Sequence, residues 1–469
     1  MTEPDAPLWA GRFTTPPDPA AVALGRSLSF DVRLAPYDVE AGVAHVRALE
    51  ESGLVTAAEA GQLEKALRDM GEEIAAGTFA FDAADEDVHS AIERGVIERL
   101  GDVGAKLHAG RSRNDLVMTD LRLWLLDAEG RIRDVIERCG RALLEHAHEH
   151  AETVMPGTTH ARFAQPVTLG HHLLAHAWAL VRDLDRFGEW RRRASVSPLG
   201  AGALATSTLR LDHDGAARRL GFEDRFANSI DAVSDRDVVQ EFLGCASICA
   251  THLSRLAADV TRFSDESLGW ATIDEAFATG SSMMPQKRNP DVAELARAKA
   301  GRVLGDFVGL ATVLHGLPLG YHRDLQEDKE AVFDAVDTLE ASAAALAGCV
   351  ATLTFHPDAM RRAAEAAGLY ATDVAEALVE SGVPFREAHE RVGALITSLE
   401  RGGRSLRDLS ADEWAALGAP NGGELLDPDR SVRARAAPGG PSPGSVREQI
   451  AHLERALGPG VRGPSSERA

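Results

Sequence analysis

The chain has 469 residues, 44% of them hydrophobic and 26% charged, with a formal charge of −22. That length supports two or three packed domains, and the composition is that of an ordinary globular protein. The negative charge argues against nucleic acid or anionic membrane as partners, because both need a basic footprint.

No stretch approaches the run of about 18 apolar residues that marks a membrane span, and residues 1–5 are acidic, so a cytoplasmic location is expected. Residues 9–19 read as an irregular, proline-rich arm. Helical periodicity follows over 35–52 and 56–77. Asp85-Glu86-Asp87-Val88-His89-Ser90 reads as a polar turn leading into a helix at 91–100. Five long helices are then expected, over 114–156, 166–197, 234–265, 290–316 and 324–354. Apolar residues recur three and four apart, as in Leu121, Trp124, Leu125, Ile132, Val135 and Ile136. Such helices far exceed the average of about 11–12 residues and imply a bundle, with a homo-oligomer as its natural setting. From residue 356 the pattern returns to short helices, then a loop at 439–444 and an amphipathic helix carrying Ile450, Leu453 and Leu457. The expectation is a mostly α chain in three parts: an N-terminal mixed helical domain (1–112), a central long-helix bundle (113–355) and a small C-terminal helical domain with a tail (356–469).

The four cysteines, Cys139, Cys245, Cys249 and Cys349, have neither zinc nor disulfide-framework spacing and read as buried thiols. Histidines cluster at His146, His148, His150, His171, His172 and His176, with i,i+4 pairs His146/His150 and His172/His176. H-E-x-x-H fails at Glu152, and solvated helix faces explain the cluster more simply than a functional metal.

The densest chemistry lies in Gly280-Ser281-Ser282-Met283-Met284-Pro285-Gln286-Lys287-Arg288-Asn289-Pro290. A P-loop is excluded, because the glycine and hydroxyl positions around Lys287 fail. Asn289 can cap a helix and Pro290 suits its first position. A loop of hydroxyls, an ammonium and an amide feeding a helix N-terminus suits a carboxylate substrate. Only five lysines occur among 50 basic residues: Lys65, Lys106, Lys287, Lys299 and Lys329. Lys287, Lys329 and Lys106 each sit in or beside a polar block, where a compact ammonium is not replaced by a planar fork. These blocks lie where helices begin or end, so an antiparallel oligomer would gather them into composite sites.

The loop resembles the signature G-S-S-x-M-P-x-K-x-N-P of the fumarase/aspartase superfamily. Residues 9–13, 27–31, 85–90, 107–115, 234–237, 324–330 and 383–389 resemble, within it, the argininosuccinate lyases. The resemblance runs from Trp9 to about Ile450. It implies a mostly helical homotetramer with a central helical core and four sites, each assembled from three subunits. The implied reaction is the reversible, cofactor-free cleavage of argininosuccinate to L-arginine and fumarate in arginine biosynthesis. It also implies Ser281 as catalytic base, His160 as the acid-side group with Glu294 its partner, and Lys287 as a stabilising cation. Ser27, Arg113, Asn114, Thr159, Asn289, Tyr321, Gln326 and Lys329 match substrate-binding positions.

The chemistry agrees with those roles. Removing a weakly acidic C–H proton beside a carboxylate creates a dianion that needs cations and donors in place. Ser281 needs activation to act as a base, and His160 titrates in a useful range. The chain departs from the family's Y-T-H-L-Q-R-A-Q-P at Thr158, Ala161, Arg162 and Phe163, and His322 stands where asparagine is common. Another fumarate-releasing lyase, or a silent relative of the lens delta crystallin kind, are the alternative readings.

Overall fold

The structure is a computed structural model and describes residues 18–82 and 85–458. The arm expected over residues 9–19 lies almost wholly outside the described residues. The helical periodicity becomes helix nearly where it was read. Helix α1 is Ala35–Glu51, α2 is Ala57–Ala75 and α3 is Val88–Leu100. Thr56 and Glu59 close a reciprocal capping box on α2, and Asp87 and Ser90 close one on α3. This second box converts the polar block at 85–90 into a helix start three residues earlier than expected. Gly42 lets α1 meet α2 closely, since a Cβ there would lie 3.1 Å from Leu67 Cδ1.

The five long helices are α4 (Arg113–Glu149), α5 (Leu169–Ala194), α6 (Asp237–Phe263), α7 (Asp291–Leu314) and α8 (Asp328–Ala351). Their ends correct the sequence reading at one place. Residues 154–168 are not helix ends but a β-hairpin, β1 (Val154–Thr159) against β2 (Arg162–Thr168). Pro156, Gly157 and Pro166 do stop helices, yet the chain between them pairs, with Pro156 opposite Pro166 and a bulge before Thr158. Prolines are tolerated there because both strands of a two-stranded sheet are edges. Two further short pairs join Ala271–Thr272 to Thr354–Phe355 and Val196–Ser197 to Asp224–Arg225.

Contacts divide the chain into two units, each built from three separate segments. The first comprises Met1–Ile132, Arg186–Ser247 and Arg302–Thr338; the second comprises Arg133–Asp185, Ile248–Gly301 and Leu339–Ala469. The five boundaries between these segments fall one in each of the five long helices.

In the first unit Trp190 donates its indole N–H to Val238 O at 2.8 Å and packs edge-on to Phe242. Trp124 meets Phe333 edge-on with centroids 4.6 Å apart. Arg236 and Asp328 form a fully buried ion pair at 2.6 Å, with Lys329 Nζ 3.0 Å from the other carboxylate oxygen. In the second unit the C-terminal helices α9 (Ala371–Glu380) and α10 (Phe385–Arg401) enclose a satellite core with Tyr370, Leu378, Val392 and Trp414. The last helix, α11 (Pro443–Leu457), buries Ile450, Leu453 and Leu457, the stripe read from the sequence. All four cysteines are buried, and none forms a disulfide.

Candidate active site

Six of the expected substrate-binding residues meet in one cavity of the first unit. Ser27, Arg113, Asn114, Tyr321, Gln326 and Lys329 line a space of about 140 Å³ together with Asp31, Asp87, His89, Val117 and Arg323. Local folding places each of them. Ser27 precedes a one-turn helix and donates to Asp31 Oδ2 at 2.5 Å, while Asp31 Oδ1 accepts from Val88 N at 3.1 Å. Arg113 opens α4 and donates to Asp87 Oδ2 at 3.1 Å, the residue that caps α3. Asn114 donates to Ala203 O at 3.1 Å.

Asp115 ties this corner together. One carboxylate oxygen accepts from Ser112 N, and the other accepts from Gly200 N and Gly202 N at 2.9 and 2.8 Å. Gly200 is required there: its φ is +101°, and a Cβ would lie 2.0 Å from the His213 ring. On the opposite wall Gln326 and Arg323 both donate to Gly25 O, and Arg323 also pairs with Glu86. Burial pushes the Tyr321 hydroxyl above its ordinary pKa, so it stays a neutral donor.

Behind the cavity His89 lies buried between two carboxylates, with Nδ1 2.5 Å from Asp38 Oδ2 and 3.3 Å from Asp120 Oδ2. Burial opposes its charge, but the bonds to Asp120 and Asp38 hold its pKa well above the ordinary histidine value. Burial, and then the charge of Asp38, push Asp120 up to about 8. Both shifts favour a proton held within the triad, at the cavity wall.

The catalytic expectations lie in the second unit. Thr279 and Asn289 form an antiparallel bridge, Thr279 N to Asn289 O at 3.2 Å and Asn289 N to Thr279 O at 2.8 Å. The bridge makes a neck for the signature loop. Beyond it, Ser281 Oγ accepts from Met283 N at 3.2 Å and Met284 N at 3.1 Å. Lys287 is exposed. The capping expectation needs correction: α7 begins at Asp291, Pro290 O accepts its first bond from Glu294 N, and Asn289 Nδ2 instead reaches Gly280 O and Thr279 Oγ1 at 3.4 Å. Asn289 thus braces the loop neck, and Pro290 caps.

Thr159 and His160 stand at the tip of the β1–β2 hairpin, both exposed. His160 and Ala161 have φ of +52° and +58°, the two left-handed positions of a tight hairpin turn. Phe163 stacks on Trp270 with centroids 6.0 Å apart, so the altered block anchors the hairpin by an aromatic contact. Glu294 is exposed, 3.9 Å from Arg297 on its own helix. Among the described residues no hydrogen bond or ion pair joins His160, Glu294 and Ser281 to one another.

Other expectations resolve differently. Lys106 pairs with Glu59 at 2.6 Å, a structural role that takes it out of the lysine argument. His146 bonds to Val350 O at 2.8 Å and His150 to Thr153 Oγ1 at 3.1 Å, with Phe355 edge-on to both rings, so this pair braces packing rather than facing solvent. His172 and His176 converge on Asp259, again not a merely solvated face.

Asp31, Asp87, His89 and Arg323 were absent from the expected site. Asp31 was findable, being one helical turn beyond Ser27, and Asp87 and His89 sit in a polar block already singled out. What sequence could not supply was that tertiary folding brings all of them to one cavity with Arg113 and Lys329.

A helical fold with a serine-bearing loop and a cavity of mixed charge defines a lyase of the fumarase/aspartase superfamily. A family model described as Lyase matches residues 11–305, and one described as Argininosuccinate lyase C-terminal matches residues 368–433. Argininosuccinate lyase of Frankia casuarinae is 50% identical over 96% of this chain and 98% of its own. That of Symbiobacterium thermophilum is 47% identical over 95% and 97%. Among solved structures, an EDDS lyase variant with bound fumarate aligns with a TM-score of 0.82 at 29% identity, covering 93% of this chain and 88% of the other. A class II fumarase from Schistosoma mansoni shares the fold at 16% identity and a TM-score of 0.73. The chain belongs to the argininosuccinate lyase family.

Proposed function

We propose that this protein catalyses the reversible elimination of L-arginine from argininosuccinate, releasing fumarate. Membership of the family carries the reaction, and one observation carries the mechanism: two backbone N–H groups already point at Ser281 Oγ. Donors aimed at a hydroxyl oxygen favour its anionic form and so make a poor base a usable one. In the proposed step Ser281 takes the proton from the carbon beside the carboxylate. Lys287 and Asn289 steady the dianion that forms. The C–N bond then breaks, and the guanidino nitrogen leaves with a proton delivered from the His160 side, with Glu294 as its partner. Ser27, Arg113, Asn114, Thr159, Tyr321, Gln326 and Lys329 hold the substrate. Asp31 and Asp87 add carboxylates for its cationic arginine end. No cofactor has a role in this scheme.

The parts lie on separate elements, which supports a site completed by assembly. Helix α7 supplies a surface for it. Leu295, Leu304 and Val308 are 57%, 50% and 53% exposed, and Gly301, Gly305 and Gly309 have open space where a Cβ would stand. A helix face of small and apolar residues invites a second helix. We read this as support for a homotetramer with sites shared between subunits. No described helix is long and apolar enough to cross a membrane; a cytoplasmic enzyme with a small-molecule substrate and no nucleic-acid partner fits.

The test is to incubate the purified protein with argininosuccinate, adenylosuccinate, aspartate and malate and follow fumarate by its ultraviolet absorbance. Turnover of argininosuccinate alone is expected. Release from another substrate instead, or from none, overturns the assignment. Ser281→Ala is expected to lower kcat by about 10²–10⁴-fold with an unchanged circular dichroism spectrum, the usual contribution of a positioned base.

A further inference from the structure

The histidines of α5 and one aspartate of α6 form a second constellation, within the second unit. His172 and His176 are one helical turn apart on α5 and present their rings on the same face, with centroids 5.6 Å apart. Asp259 projects from α6 between them. Its Oδ2 lies 2.7 Å from His172 Nε2 and 2.8 Å from His176 Nε2. The side chains are 26%, 16% and 27% exposed, half-buried but open to solvent. The three donor atoms lie within 4.8 Å of one another.

We propose that His172, His176 and Asp259 bind a divalent first-row transition metal of the Zn²⁺ class, clipping α5 to α6. Two imidazole nitrogens and a carboxylate oxygen are the donor set that such ions select, whereas Mg²⁺ and Ca²⁺ require oxygen. A tetrahedral ion with bonds of about 2.0–2.1 Å separates its donors by roughly 3.3 Å. Each imidazole therefore needs to draw back from Oδ2 by about half an ångström, which side-chain rotation supplies. Nε2 of each ring is the ligating atom, any proton on it passing to Nδ1 or to solvent, and water completes the shell. Two rings crowded onto one carboxylate oxygen are a poor use of that carboxylate as a simple acceptor. Among the described residues Asp259 Oδ1 accepts no hydrogen bond at all. A shared cation instead takes Oδ2 and both rings as ligands.

The His146–Glu149–His150 group, of the same residue types but packed against Val350 O, Thr153 Oγ1 and Phe355, is the internal control. The experiment titrates the chelator-treated full-length protein with Co²⁺, read by visible absorption, and with Zn²⁺, read by calorimetry. One ion per chain is expected, with the intense bands of low-coordinate Co²⁺. His172→Gln/His176→Gln is expected to weaken binding by more than the 10–100-fold that loss of an outer-shell partner costs. Asp259→Asn should weaken it as well, which keeps the test valid if the double variant fails to fold. His146→Gln/His150→Gln should bind as the parent does. Zn²⁺ should raise the thermal midpoint of the parent and of that control, and leave the His172/His176 variant unmoved. No binding by the parent, unchanged binding in the His172/His176 and Asp259 variants, or loss only in the His146/His150 variant overturns the site.

Discussion

Lys287 is the residue at which the chemistry of an ammonium is tested most directly. It is exposed on a loop whose neck is bridged, so its compact charge is free to approach a carboxylate. Lys287→Arg keeps the charge but substitutes a planar fork that needs more room. Turnover is expected to fall by at least about 10²-fold, comparable to losing one donor to a developing oxyanion. A change under threefold would remove Lys287 from the chemistry. His45 offers a test of stability instead. It is 4% exposed and donates Nε2–H to Ala109 O at 3.0 Å. Burial, and then the charge of Arg111, push its pKa down to about 3. The unfolded chain protonates His45 near pH 6.5 while the folded chain does not. Its contribution is therefore present above about pH 6.5 and is lost as pH falls toward 3, at up to about 1.4 kcal/mol per unit. Urea unfolding between pH 7 and 4.5 should show a shallower decline in His45→Gln, which keeps a donor without the titration. His89 has the opposite sign: with a raised pKa, its contribution is present below about pH 6.5 and is lost as pH rises through its folded value.

At the scale of elements the hairpin is the instructive case. Two successive left-handed residues without glycine cost about 1–2 kcal/mol each, although histidine bears this conformation better than most. The chain holds His160 in one fixed attitude at that cost, braced by Phe163 on Trp270. Ala161→Gly removes the steric part of the strain. Amide exchange across β1 and β2 is then expected to slow by several-fold; faster exchange would show that the turn is not strained. Sequence could not announce this hairpin. Pro156, Gly157 and Pro166 are stop signals for a helix, and they split the β-branched residues into the short pairs Thr153-Val154, Thr158-Thr159 and Val167-Thr168, too brief to declare a strand. The long helices were legible because a repeat of three and four survives over dozens of residues, as Leu121 to Ile136 show. Helix ends are less legible, because local bonds such as the Asp87–Ser90 box that starts α3 decide them.

For the whole molecule, charge and assembly pull in different directions. A chain of −22 repels an anionic substrate at long range, yet Arg113, Arg323 and Lys329 gather around one cavity. That gathering of cations, set among Asp31 and Asp87, was only half visible beforehand. The scarcity of lysine pointed to Lys329 and Lys287 but equally to Lys106, which Glu59 claims. The signature loop was legible because its chemistry is contiguous. The cavity was not, because Asp31, His89 and Lys329 are brought together by folding alone. The glycines of α7 have open space beside them and His160 and Glu294 are exposed, as the proposed assembly requires.

The bridged neck at Thr279 and Asn289 also decides how the molecule meets a protease. The residues between those two form a loop closed at its base, and its returning limb exposes two consecutive trypsin targets, Lys287 and Arg288. Brief digestion should cut there early, leaving two fragments that remain associated because the severed ends are still knotted at the base. Saturating fumarate with arginine should delay that cut if the loop folds down over product; indifference to ligand would mean that the loop stays open through the cycle.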